Sequence, residues 1–99
     1  MGDDEGLEDL VTEEMLWDRI PEVHGADRAN TYYELSARIF ARGQYDEALA
    51  LAETARDIYS QLGDAAPSEG LAQAYSAIGY NLNQLKRMDE AALAMSKAV

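Results

Sequence analysis

One pattern occurs twice in this chain, 43 residues apart. Ala29, Tyr32, Asp46, Glu47, Ala48 and Ala55 recur as Ala72, Tyr75, Asp89, Glu90, Ala91 and Ala98. Leu35, Ile39 and Tyr45 recur as Ile78, Leu82 and Met88, with apolar character kept. A fixed offset held over such a span marks an internal repeat. Within each copy, apolar residues at helical spacing lie on both sides of a central break, which reads as a helix–turn–helix hairpin. One such hairpin cannot bury its apolar face alone, so the copies must stack. Stacked repeats build extended binding surfaces, and that bounds the kind of work expected here.

The pattern places the elements. Residues 1–6 hold three acids and no apolar residue beyond Met1, and read as a disordered acidic tail. Residues 7–20 read as a helix whose stripe is Leu7, Leu10, Val11, Trp17 and Ile20, with Met15 and Leu16 on its margins. Trp17 is expected to anchor the core there. Pro21 should end that helix, because the residue before a proline leaves the α region. Residues 7–25 are thus an N-terminal capping helix and linker. Residues 26–99 hold the two repeats, about 27–63 and 68–99.

The first hairpin is expected to run from about Asp27 to Ala41, turn at Gly43, and return from Tyr45 to Leu62. Gly63 is suited to the C′ position that closes it. The second should start with Ser68 as N-cap, reach about Leu85, and return from Met88. Seventeen residues follow Tyr45 within its helix, but only eleven follow Met88. The second repeat therefore reads as truncated, the N-terminal part of a longer repeat protein or an end covered by a partner. No stretch alternates as a strand would, so the fold class is all-α, with five helices.

Charge narrows the partners. The formal net charge is −11. Residues 1–22 carry nine acids and one base, whereas the rest carry ten acids and seven bases. An acidic chain is repelled by phosphate backbones and anionic lipid, so neither nucleic acid nor membrane is an expected partner. The leader acids either solvate an exposed helix or steer a basic partner. No run approaches the roughly 20 apolar residues of a membrane span. The acidic N-terminus does not fit a secretory signal, which points to a cytoplasmic protein. There is no cysteine, which excludes disulfides and thiolate metal sites.

The residues resemble the tetratricopeptide repeat. That family has a large residue near position 4 of its first helix, an apolar one at 7, a small one at 8, a Gly-x-Tyr turn, and alanines near 20 and 27. Tyr32, Leu35, Ser36, Gly43, Tyr45, Ala48 and Ala55 fit in the first copy. Tyr75, Ile78, Gly79, Ala91 and Ala98 fit in the second, where Lys86 and Met88 replace the turn Gly and Tyr. The offset exceeds the family's usual length of about 34 residues and enters the range of HEAT and armadillo repeats. The Gly-x-Tyr-Asp-Glu-Ala run argues against those. The longer unit is similar to the extended-helix variety of kinesin light chains and bacterial peptide-sensing regulators. The resemblance implies a helical-hairpin solenoid of two repeats preceded by an N-terminal helix. It also implies that Ser36 and Gly79 are small because the paired helices cross closely at Ala48 and Ala91.

The resemblance further implies a concave groove that binds a peptide or partner helix, making the chain a protein–protein interaction adapter. The implied groove positions are Asn30, Tyr33, Ala37, Phe40 and Ala41, then Gln73, Ser76, Tyr80, Asn83 and Gln84. The carboxylate clamp of some members needs a Lys and an Asn where Tyr33 and Ala37 stand, so it is absent. The asparagines and glutamine at 81, 83 and 84 otherwise read as plain surface amides.

Two alternatives stay open. One is self-assembly into a homo-oligomer through a face of Leu93, Met95 and Val99. The other is the sensor part of a bacterial regulator whose effector part lies elsewhere. No catalytic residue, metal site or cofactor is expected. His24 is the only histidine, the acidic run at Asp3 lacks the spacing of a calcium loop, and there is no phosphate-binding glycine loop.

Overall fold

A computed structural model describes residues 12–98. Five α-helices follow one another with no strand among the described residues. They are α1 (Glu13–Arg19), α2 (Gly25–Ala41), α3 (Tyr45–Leu62), α4 (Ser68–Gln84) and α5 (Met88–Ala98). Each helix packs on the next, and α2 also touches α4. The body measures 47 × 32 × 21 Å, elongated as sequential packing requires.

Three apolar clusters link the helices in series. Leu16 and Ile20 of α1 and its following turn join Leu35, Ile39, Ala48 and Leu51. Ala29, Ala55, Tyr59 and Ala74 join α2, α3 and α4. Leu49 and Ala52 meet Ile78, Leu82, Ala91 and Ala94. Residues that correspond in the two copies occupy corresponding depths: Leu35 and Ile78, Ile39 and Leu82, and Ala48 and Ala91 are all buried.

The turns inside the two hairpins match bond for bond. The Gly43 N–H donates to the Phe40 carbonyl at 2.9 Å, and the Gln44 N–H to the Ile39 carbonyl at 3.3 Å. One repeat later, the Lys86 N–H donates to Asn83 at 3.1 Å and the Arg87 N–H to Leu82 at 2.8 Å. This pairing satisfies carbonyls left over at the helix end and requires a left-handed residue at its centre. Gly43 takes φ 83°, and Lys86 takes φ 65°. Lysine thus holds a conformation that costs an L-residue about 1–2 kcal/mol. The backbone motif survives the loss of its glycine.

The close crossing expected at Ser36 and Gly79 has a definite neighbour in the second copy. A Cβ on Gly79 would lie 2.7 Å from Met95 Cγ and 3.5 Å from the Ala91 carbonyl oxygen. One repeat earlier the positions of Gly79 and Met95 are Ser36 and Ala52, both buried. The volume removed from α4 reappears on α5.

The first helix departs from expectation. Its α-helical part begins at Glu13, capped by the Thr12 hydroxyl, which accepts the Met15 N–H at 3.2 Å. Residues 1–6, and Leu7, Leu10 and Val11 of the expected stripe, lie outside the described residues. Leu16 is fully buried, whereas Trp17 is 43% exposed. Leu16 and Ile20, four apart, point the same way into α2, and Trp17 stands about 100° around the helix. Trp17 is therefore not the core anchor. Pro21 ends the α-helix but not the coiling. It sits in the first turn of a 3₁₀ segment, Ile20–Glu22, where its missing N–H needs no partner.

Two boundaries also shift. The second helix starts at Gly25 rather than Asp27. Ser68 is not the N-cap: Pro67, extended at φ −60° and ψ 136°, takes that place, and Ser68 is the first helical residue without a side-chain cap bond. Tyr45–Leu62 matches its expected span, and Gly63 follows at φ 57°.

A candidate binding groove between the second and fourth helices

The contact between α2 and α4 leaves a cavity of about 140 Å³ on one side of the molecule. Tyr33, Ser36, Ala37 and Phe40 line it from α2, and Ser76, Ala77, Tyr80 and Asn81 from α4. The spacing is i, i+3, i+4 and i+7 on α2 and i, i+1, i+4 and i+5 on α4, which puts each set on one side of its helix. Small residues at Ser36, Ala37, Ser76 and Ala77 hold the wall back, and the three aromatic rings stand around the space.

Local bonds set these side chains. The Ser36 hydroxyl donates to the Tyr33 carbonyl at 2.7 Å, so it is spent inside its own helix. Phe40 meets Tyr45 edge-on, with ring centroids 5.2 Å apart, which ties the groove wall to the start of α3. Asn81 is 1% exposed, and its amide nitrogen donates to the Ala77 carbonyl at 2.8 Å. Its carbonyl oxygen, Oδ1, is buried with no partner. Tyr80 is 56% exposed.

None of the eight lining residues carries a formal charge. Ionisable groups lie nearby: burial raises the Tyr59 hydroxyl above the ordinary tyrosine range, and Tyr33, Asp27 and Glu34 push it further the same way. The Arg42–Glu13 pair at 3.1 Å joins the end of α2 to α1 in solvent, where such a pair contributes little.

Of the positions named from the sequence, Tyr33, Ala37, Phe40, Ser76 and Tyr80 converge here. Asn30, Ala41, Gln73 and Gln84 are exposed and stand outside this cavity. Asn30 donates to Glu34 at 3.3 Å along its own helix. Asn83 lines a second cavity of about 300 Å³ with Gly79, Tyr80, Met88, Ala91, Ala92 and Met95. The two cavities are related by the repeat. Ser36, Ala37 and Phe40 of the first correspond to Gly79, Tyr80 and Asn83 of the second.

Asn81 is a correction. It is a buried residue under the groove, not a surface amide. Its position corresponds to Arg38, so the repeat offers no hint of its depth. Ser36 and Ala77 were also missed as lining residues. Their smallness was legible, but not the side on which it opened space.

The proposed self-association face is partly visible. Leu93 is 60% and Met95 37% exposed, but they stand on different sides of α5: Met95 lines the second cavity with Met88, whereas Leu93 borders a hollow with Tyr75 and Lys97. Val99 lies outside the described residues. Among the described residues, no helix is long and apolar enough to cross a membrane. No three His, Asp or Glu side chains gather as a metal site among them. His24 is exposed and borders a wide, open hollow with Arg28, Tyr32, Ile58 and Leu62.

Set against protein-family models, curated proteins and solved structures, the chain matches none.

Proposed function

We propose that this chain is a tetratricopeptide-like interaction module that binds a segment of another protein in the groove between α2 and α4. One observation carries the reading. Tyr33, Ala37, Phe40, Ser76 and Tyr80, groove positions that the family resemblance implies, surround one apolar cavity. Aromatic rings with hydroxyl tips supply contact area at low entropic cost, which suits a surface that must hold a segment without a charge to grip. The repeated Schellman turns and the serial packing support the solenoid reading.

The test uses a displayed library of random twelve-residue peptides, selected against the full chain. Selected peptides should lose at least tenfold in affinity on Tyr33→Ala or Tyr80→Ala, while the helical circular dichroism and the melting temperature stay put. Peptides that bind both variants as well as the unaltered protein would refute the groove.

A second reading rests on apolar residues exposed on two sides of α5, Met88 and Met95 on one and Leu93 on the other. Here two copies associate through α5. Sedimentation across a concentration range separates the readings: a mass that stays at one chain overturns self-association, and a dimer broken by Leu93→Glu supports it.

A further inference from the structure

We infer that the groove takes a neutral indole side chain, a tryptophan of the partner segment, with its N–H accepted by Asn81 Oδ1. This rests on the groove reading and specifies what enters it.

A buried carbonyl oxygen without a partner forfeits the hydrogen bond it had to water. A buried acceptor left unpaired in a native structure calls for an explanation. Its amide nitrogen is already held by the Ala77 carbonyl, which fixes the orientation and leaves Oδ1 as the free end. The residue lines the cavity. An occupant that reaches it must bring a donor.

The rest of the lining chooses among donors. Tyr33, Ala37, Phe40 and Tyr80 present rings and a methyl group, so the body of the occupant is apolar. No lining residue is acidic, so an ammonium or guanidinium would be buried without a counter-charge. A backbone N–H brings a carbonyl with it, and a tyrosine hydroxyl brings lone pairs of its own besides its donor. An indole carries one donor and no acceptor on a flat apolar body. A cavity of about 140 Å³ has room for one side chain rather than a whole small-molecule ligand. Tyr80, the most exposed of the three rings, is the one with space to turn aside.

The experiment titrates three probes into the full chain and follows its amide resonances. The probes are N-acetyltryptophanamide, its 1-methyl derivative, which lacks the N–H, and N-acetylphenylalaninamide. The expected result is that the indole probe shifts the Asn81 side-chain amide together with groove amides. It should bind about fivefold tighter than the 1-methyl probe, the worth of one hydrogen bond. In Asn81→Leu that preference should vanish while phenylalaninamide binding remains. If the variant fails to fold, the comparison of the two indoles on the unaltered protein decides alone. Equal binding of the two indoles, or a preference that survives Asn81→Leu, overturns the inference. Phenylalaninamide shifts confined to the groove would then leave the groove reading in place. If no probe moves a groove amide, the inference falls, and the Tyr33 and Tyr80 variants judge the groove by themselves.

Discussion

Replacing Gly79 with alanine should destabilise the protein only while Met95 is present. Alanine is favoured over glycine in a helix interior by about 0.5–1 kcal/mol. Against that gain stands the new Cβ, which would lie 2.7 Å from Met95 Cγ and force the thioether aside. Full burial of a methionine is worth about 1.5–3 kcal/mol, and Met95 is 37% exposed, so about 1–2 kcal/mol is at stake. Gly79→Ala alone should therefore be neutral to destabilising by about 1.5 kcal/mol. In a Met95→Ala background the obstruction is gone, and the same change should stabilise by about 0.5–1 kcal/mol. The double variant then approaches the small pair, Ser36 and Ala52, already used one repeat earlier. Urea unfolding followed by far-ultraviolet circular dichroism gives the four midpoints, read at constant slope. The coupling should be about 1–2 kcal/mol. If Gly79→Ala has the same effect in both backgrounds, within the roughly 0.3–0.5 kcal/mol of independent sites, the packing argument is wrong.

Other expectations follow from the same contacts. Lys86→Gly should raise stability by about 0.5–1 kcal/mol, because the left-handed strain of lysine outweighs the added freedom of glycine in the unfolded chain. A urea midpoint that fails to rise would remove the strain argument. Trp17, the single tryptophan, should emit at long wavelength and be readily quenched by acrylamide in the native state, whereas Leu16→Ala should cost about 2–5 kcal/mol. A blue, protected emission would return Trp17 to the core. The Tyr59 hydroxyl titrates higher in the folded chain than unfolded, so its contribution is whole below the ordinary value of 10.0 and is lost as pH climbs through the raised one. Melting temperatures should fall as pH rises from 10.0 toward the raised value, and Tyr59→Phe should flatten the decline; an unchanged profile in the variant would exclude Tyr59 as its source.

The repeat made the hairpins legible because periodicity and turn chemistry are local. The spacing of Tyr32, Leu35 and Ile39 gives a helix one apolar side, and Gly43 supplies its stop. The span Tyr45–Leu62 and both turn positions follow from such short-range rules. Five of the positions that the family resemblance implied, Tyr33, Ala37, Phe40, Ser76 and Tyr80, line one cavity. Depth was not legible. Leu16 and Trp17 are neighbours on one helix, and only the position of α2 decides which of them is buried. The contact of α2 with α4 sinks Asn81 and opens the cavity beside it, while Arg38, its counterpart, keeps a charge that no neighbour forces inward. Lys86 could hold the glycine's backbone conformation because the tertiary docking of α5 on α4 outweighs a local strain of about 1–2 kcal/mol. The amino-acid sequence by itself determined that the chain forms helices, where they turn and how the pattern repeats. Tertiary packing decided which faces lose water, because burial depends on what a helix meets and not on what it contains.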